Sequence, residues 1–252
     1  MEKVLFLFWH GLGDNVLATP VIRQYKKQTG NYIGWMMMER VLGAQLLKDN
    51  PNVDAIHGCS DAWHCCGHDN ISEGSQKVIQ EAQEVKEKYG YDQLVVIDHT
   101  SSKKHKIYRT ADEMGVDLDE KDLATEFSYN YNDIKDFYSE VSIPKDYVFF
   151  NGLTGVRNKN LSLDRVKAHM KENNIDLPII SPDFTWDVSK YPISFAADVM
   201  KKAKHIYVAD SALYHVAHAL DLTIDVAYFK RGNKTWKVVH PLHTNKETVI
   251  YK

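Results

Sequence analysis

The sequence predicts an α/β protein made of two parallel-sheet halves in tandem, and three observations carry that reading. Strand-like apolar runs alternate with helix-like stretches from one end of the chain to the other. Two of those runs, Val4-Leu5-Phe6-Leu7-Phe8-Trp9 and Ile206-Tyr207-Val208-Ala209, stop at a turn bearing an aspartate and lead straight into a helix-like stretch. At 252 residues, 44% of them apolar, the chain is long enough for one large core or two smaller ones.

The elements follow in order. Residues 4–9 are apolar throughout, as in a strand buried on both faces. Val16, Leu17, Val21, Ile22 and Tyr25 recur at helical spacing over 15–29. The first half continues with a strand at 32–38, a helix at 39–49, a strand at 53–57, a helix at 73–89, a strand at 93–98 and helical stretches after 103. The second half restarts with a strand at 146–151, a helix at 161–174, a short strand near 178–180, a helix at 193–203, a strand at 205–209, a helix at 212–221 and a strand at 223–229. Thr248-Val249-Ile250-Tyr251 is again strand-like. Ile143-Pro144 separates the halves, since the residue before a proline avoids helix, which gives domains 1–143 and 144–252.

Composition narrows the function classes. A net charge of −3 gives no general attraction to nucleic acid or anionic membranes. The amino terminus enters a core strand without a signal-peptide pattern, and no apolar run approaches bilayer-spanning length. Three cysteines, two of them adjacent, fit a reducing compartment, so a cytoplasmic protein is expected.

The chemistry gathers at the two elbows. In Gly11-Leu12-Gly13-Asp14-Asn15 the glycines let the backbone turn tightly, and Asp14 either caps the following helix or offers a carboxylate at the sheet edge. The elbow Asp210-Ser211-Ala212 repeats the design and leads into a helix carrying His215. In open parallel sheets ligands bind beyond the carboxyl ends of the strands, so two elbows suggest two sheets facing one cleft.

These residues resemble a known family. Gly11-Leu12-Gly13-Asp14 with Val16 and Thr19-Pro20, followed much later by Asp210-Ser211-Ala212-Leu213-Tyr214-His215-Val216-Ala217, is similar to the two signatures of the heptosyltransferase-like glycosyltransferase family 9, of the GT-B fold. Asn50-Pro51-Asn52-Val53-Asp54, Tyr91-Asp92 before Val95-Val96-Ile97-Asp98, and Gly155 to Lys159 agree in order and spacing. The resemblance implies two Rossmann-like domains about a cleft, the first binding the acceptor and the second a nucleotide diphosphate sugar. It also implies Asp14 as general base, direct displacement with inversion, cations from the loop Thr154-Gly155-Val156-Arg157-Asn158-Lys159, and base recognition near Asp183 to Trp186. The family usually has glycine where this chain has Ala212, and a full-length member usually ends in a helix crossing back to the first domain, whereas this chain stops at Lys252.

On that basis the catalytic candidates are Asp14 and, as a rival base, His10. Donor candidates are Gly13, Thr154, Arg157, Lys159, Trp186, Asp210, Ser211, Ala212 and His215, with the amides after Asp210 and the Ser211 hydroxyl facing a phosphate. His215 either donates to a phosphate oxygen or pins the elbow, and Trp186 either stacks on the base or is core. Lys103, Lys104 and Arg109, in the run Lys103-Lys104-His105-Lys106, either receive an anionic acceptor or form a solvated helix face. Metal independence is expected, because cations and amides can carry the diphosphate charge and Asp117-Leu118-Asp119 lies in a polar stretch. His57, Cys59, His64, Cys65, Cys66 and His68 crowd one window, but their spacing is irregular for zinc, and a loop bordering the acceptor is the preferred reading. A nucleotide-sugar epimerase or hydrolase and a non-catalytic nucleotide-sugar binder remain the alternatives.

Overall fold

The computed structural model describes residues 1–42, 45–60, 73–98, 104–154, 160–186, 190–229, 239–243 and 246–251. By contact the chain divides into two compact units, residues 1–128 with 239–243, and 129–229 with 246–251. The stretch 129–143, on the amino-terminal side of the boundary expected at Ile143-Pro144, is in the second unit. Tyr129 and Tyr138 tie it there by donating to the two oxygens of Asp198, at 2.8 and 2.5 Å.

The first unit runs β1 (Lys3–Leu7), α1 (Leu12–Thr29), β2 (Tyr32–Met38), α2 (Glu39–Leu42), β3 (Ala55–Cys59), α3 (Glu73–Tyr89), β4 (Gln93–Val96) and α4 (Lys106–Met114). Its strands are parallel in the order β3-β2-β1-β4, with Val4 opposite both Ile33 and Gln93. The apolar run of β1 sits in the middle of this sheet and is buried from Val4 onward. Helix α1 carries Pro20 in its interior, where no N–H exists to reach the Val16 carbonyl; the Thr19 hydroxyl donates to that carbonyl instead, at 2.7 Å. The Thr19-Pro20 pair therefore keeps the helix continuous.

The second unit runs β5 (Val148–Asn151), α5 (Leu163–Glu172), β6 (Ile179–Ile180), α6 (Ile193–Lys202), β7 (His205–Ala209), α7 (Ala212–Ala219), β8 (Ile224–Phe229) and β9 (Glu247–Tyr251). The strands are again parallel, in the order β6-β5-β7-β8-β9. One face of the sheet packs Val148, Phe150, Tyr207, Ala209, Val226 and Tyr228 against Leu161, Val166 and Met170 on and beside α5. Two short 3₁₀ helices, Tyr131–Asp133 and Lys135–Ser139, lie ahead of β5, where the sequence shows no periodicity to announce them. Two further differences are local. Helix α1 starts at Leu12 rather than Asn15, and the helix expected over 39–49 is described as helix only to Leu42, with 45–49 in turns.

No helix among the described residues is long and apolar enough to cross a membrane. Cys59 is buried and unbridged. Cys65, Cys66, His64 and His68 of the suggested zinc window lie outside the described residues, and among the described residues no group of three or more His, Cys, Asp or Glu is placed to hold a metal ion.

Candidate active site

In each sheet the chain leaves its first strand in one direction and later returns to the other side of it, and such a reversal opens a crevice at the carboxyl ends of the two strands concerned. The strand orders place these crevices between β1 and β4 and between β5 and β7. Each is bridged by polar side chains.

At the β1/β4 crevice, the N-cap of α1 is Gly11, extended at φ −64° and ψ 169°, so Asp14 is not the cap. It is the third residue of the helix, in its first turn, where the helix dipole favours a carboxylate. Its Oδ1 is ion-paired with the ammonium of Lys106, the first residue of α4, and the two side chains are only 14% and 11% exposed. Asn15, fully buried, fixes the elbow beneath them. Its Nδ2 donates to the carbonyls of His10 and Gly11, at 3.2 and 3.0 Å, and its Oδ1 accepts from Trp35 Nε1 at 2.9 Å.

His10 is buried, its ring edge-on to Phe8, and its Nε2 lies 3.1 Å from the Ile97 carbonyl oxygen. A carbonyl only accepts, so that nitrogen carries the proton. Burial brings the His10 pKa down to about 4; the Asp14 charge opposes this, and Lys106 and Arg109 add to it. His105 caps α4 through Nδ1, which accepts from the Ile107 amide at 3.2 Å, and donates from Nε2 to the His240 carbonyl at 2.8 Å. Burial brings it too to about 4. Both imidazoles beside the Asp14–Lys106 pair are thus neutral at physiological pH.

Of the expected acceptor residues, Lys103 lies outside the described residues. Lys104 is exposed and paired with Asp112 at 2.7 Å, while Arg109 Nε donates to the Lys104 carbonyl at 3.0 Å. The structure thus brings Lys106 to Asp14, a pairing across 92 positions of sequence that local patterning does not reveal.

At the β5/β7 crevice, Ser211 is the N-cap of α7 in extended conformation. Its hydroxyl donates to Asn151 Oδ1 at 2.6 Å, and Asn151 Nδ2 donates to Asp183 Oδ1 at 3.1 Å. The other Asp183 oxygen accepts from the amides of Gly152 and Leu153, at 2.7 and 3.1 Å. The ends of β5 and β7 and the turn after β6 are therefore one hydrogen-bonded unit. Thr154 joins through its amide and hydroxyl, both donating to Asn160 Oδ1, at 2.9 and 3.2 Å. The Asp210 amide donates to the Tyr228 carbonyl at 3.1 Å, continuing the ladder to the start of the turn. Ala212 is the first residue of α7.

His215 is buried with its ring 5.0 Å from that of Tyr214. Trp186 is half-buried, edge-on to Phe195 at 5.2 Å. Arg157 and Lys159 lie outside the described residues. Sequence reading passed over another cation: Arg165, in the first turn of α5, donates to the Tyr228 hydroxyl at 2.9 Å, with its guanidinium 5.4 Å from the ring centroid. It also passed over Asn151, whose only local signal is its position at the end of an apolar strand.

The sequence matches no protein-family model and no curated protein. Solved structures do match. A glycosyl transferase family 9 protein from Veillonella parvula superposes over 100% of this chain and 86% of its own, with a TM-score of 0.68 at 15% identity. The E. coli ADP-heptose lps heptosyltransferase II aligns over 99% of this chain and 90% of its own, with a TM-score of 0.63 at 12% identity. E. coli heptosyltransferase WaaC, solved with ADP-2-deoxy-2-fluoro heptose, aligns over 98% and 92%, with a TM-score of 0.59 at 14% identity. The chain has the α/β GT-B fold of these glycosyltransferases.

Proposed function

We propose that the protein is a glycosyltransferase that moves a sugar from a nucleotide diphosphate sugar to an acceptor hydroxyl, with inversion and without a metal ion. The observation that carries this reading is a carboxylate, Asp14, set at the β1/β4 crevice of a fold shared along its whole length with glycosyltransferases. The first unit would serve the acceptor and the second the donor, and we place the reaction in the cytoplasm.

The acceptor oxygen attacks the anomeric carbon as the bond from that carbon to the diphosphate oxygen breaks. The acceptor proton passes to Asp14, and the nucleoside diphosphate leaves with the bonding electrons. A carboxylate is a weak base, so transfer comes late, as the hydroxyl becomes acidic in the transition state. His10 is the poorer candidate for this step. Its proton-bearing Nε2 is committed to Ile97, and the remaining nitrogen, Nδ1, is buried from solvent.

On the donor side, the first amides of α7 supply N–H groups to the diphosphate, and Arg157 and Lys159 supply charge. The Ser211 proton is already given to Asn151, so this hydroxyl holds the crevice rather than donating to phosphate. Because WaaC was solved with an ADP-heptose analogue, ADP-sugars are the first donors to test. The experiment is a thermal-shift screen of ADP, GDP and UDP sugars, followed by product analysis with acceptors in EDTA. Transfer from a stabilising donor is the expected result. Stabilisation followed only by isomerisation or hydrolysis of the sugar would overturn the transferase reading, and activity restored by Mg²⁺ would overturn metal independence.

A further inference from the structure

Lys106 stands where local helix preference argues against it. It is the first residue of α4, and the positive end of a helix dipole disfavours a cation there. Three of its surroundings add to that cost. The helix has no acidic residue in its first turn, His105 before it is neutral, and Arg109 follows one turn later. The lysine side chain is also largely buried, as is that of its partner Asp14. Taking two charges out of water returns little net stability even when they are paired. A lysine kept in such a place is explained by what it does to its partner.

We propose that Lys106 is the positioning residue of the acceptor site, holding the Asp14 carboxylate ionised and in one orientation at the β1/β4 crevice. The inference rests on Asp14 being the base. An ammonium in contact with a carboxylate favours the charged form. It also fixes which oxygen is engaged, since Lys106 takes Oδ1. Among the described groups, His10 from the turn before α1 lies within electrostatic reach of both Asp14 and Lys106, and His105, the cap of α4, lies within reach of Lys106 and Arg109; Lys104 is paired with Asp112. His10 stays neutral down to about pH 4, so above that pH it brings no positive charge to Asp14, and Lys106 supplies the charge in contact with Oδ1.

The test compares Lys106→Gln, which keeps a hydrogen-bond donor but loses the charge, with Lys106→Arg, which restores the charge. The side-chain carboxyl of Asp14, assigned by its loss in Asp14→Asn, is titrated by carbon NMR in each purified protein, with thermal unfolding as a check on folding. Lys106→Gln should raise the Asp14 midpoint by about one pH unit or more, and Lys106→Arg should return most of the shift. Where transfer is measurable, kcat in Lys106→Gln should fall about tenfold or more and the acid limb of its pH profile should move up with the Asp14 midpoint. Affinity for ADP alone should not change, because the first amides of α7 and the Asp183–Asn151–Ser211 network beside them lie in the other unit. A purely structural lysine would lower the unfolding temperature and leave the Asp14 midpoint where it was, and that result in the folded variant overturns the proposal. The titration needs no substrate. If no donor supports transfer in the wild type, the functional reading falls while the assignment of Lys106 as the group that sets the Asp14 charge is judged separately.

Discussion

At Asp14 the arrangement leads to a sharp expectation. Asp14→Asn preserves size and hydrogen bonding at the first turn of α1 while removing the base, so turnover should fall about 10²-fold or more with ADP binding intact. Steady-state kinetics together with calorimetric titration check both halves, and undiminished turnover would exclude the assignment. Ser211 leads the other way. Its proton goes to Asn151, so Ser211→Ala should cost about 1 kcal/mol of stability, as for an ordinary hydrogen bond, and change ADP affinity by less than about fivefold. Urea titration and calorimetry read the two effects. A much larger loss of ADP affinity would mean that the hydroxyl turns to the phosphate when ligand binds. Asp14 and Ser211 both stand out in the sequence because each lies at the elbow that follows an apolar run. Their partners Lys106 and Asn151 do not, because the contacts come from strand order, which sequence periodicity does not encode.

Gly152 shows how the loops are held to the strands. A Cβ there would lie 2.2 Å from Phe150 Cζ and 2.3 Å from the Leu161 carbonyl oxygen, and the carbonyl belongs to backbone that cannot easily move. The Gly152 amide is also fixed by Asp183. Gly152→Ala should therefore destabilise the second unit by about 1–3 kcal/mol, seen as a lower urea midpoint, and weaken ADP binding through displacement of the β5 loop. An unchanged midpoint would show that the loop shifts freely. The elements themselves were largely legible: β2, α3 and β7 have the bounds expected, because apolar runs and helical spacing are local properties of the chain. What escaped was set by longer-range contacts. The 3₁₀ helices are too short for periodicity, and Tyr129 and Tyr138 commit their segment to the second unit through Asp198 on α6. The early start of α1 follows from Gly11, whose extended backbone lets it serve as N-cap without a side chain.

Across the whole molecule, the two units should respond differently to acid, because His10, His57 and His105, whose pKa values burial lowers, all belong to the first. Burial lowers His10 and His105 from 6.5 to about 4 and also lowers His57, with Lys88 adding to the last effect. In each case the unfolded chain binds a proton more readily than the folded one, so the stabilising contribution is complete above pH 6.5 and is lost as the pH falls toward 4. For His10 and His105 the loss is about 3 kcal/mol each by pH 4, a large part of the stability of an ordinary domain. In the second unit Asp198 behaves in the opposite range. Burial alone would raise its pKa, but Lys202, Tyr138 and Tyr129 hold it below the usual 3.8, so its contribution persists above that pH and disappears only below it. Hydrogen exchange followed by mass spectrometry at pH 7 and pH 4.5, corrected for intrinsic rates, separates the two. Peptides from β1, β2 and β4 should lose protection by several kcal/mol, while those from β5, β7 and β8 should keep theirs. Equal loss in both sheets would mean that the units unfold as one cooperative body, and unchanged protection in β1 would mean that His10 and His105 accept protons without leaving their buried positions.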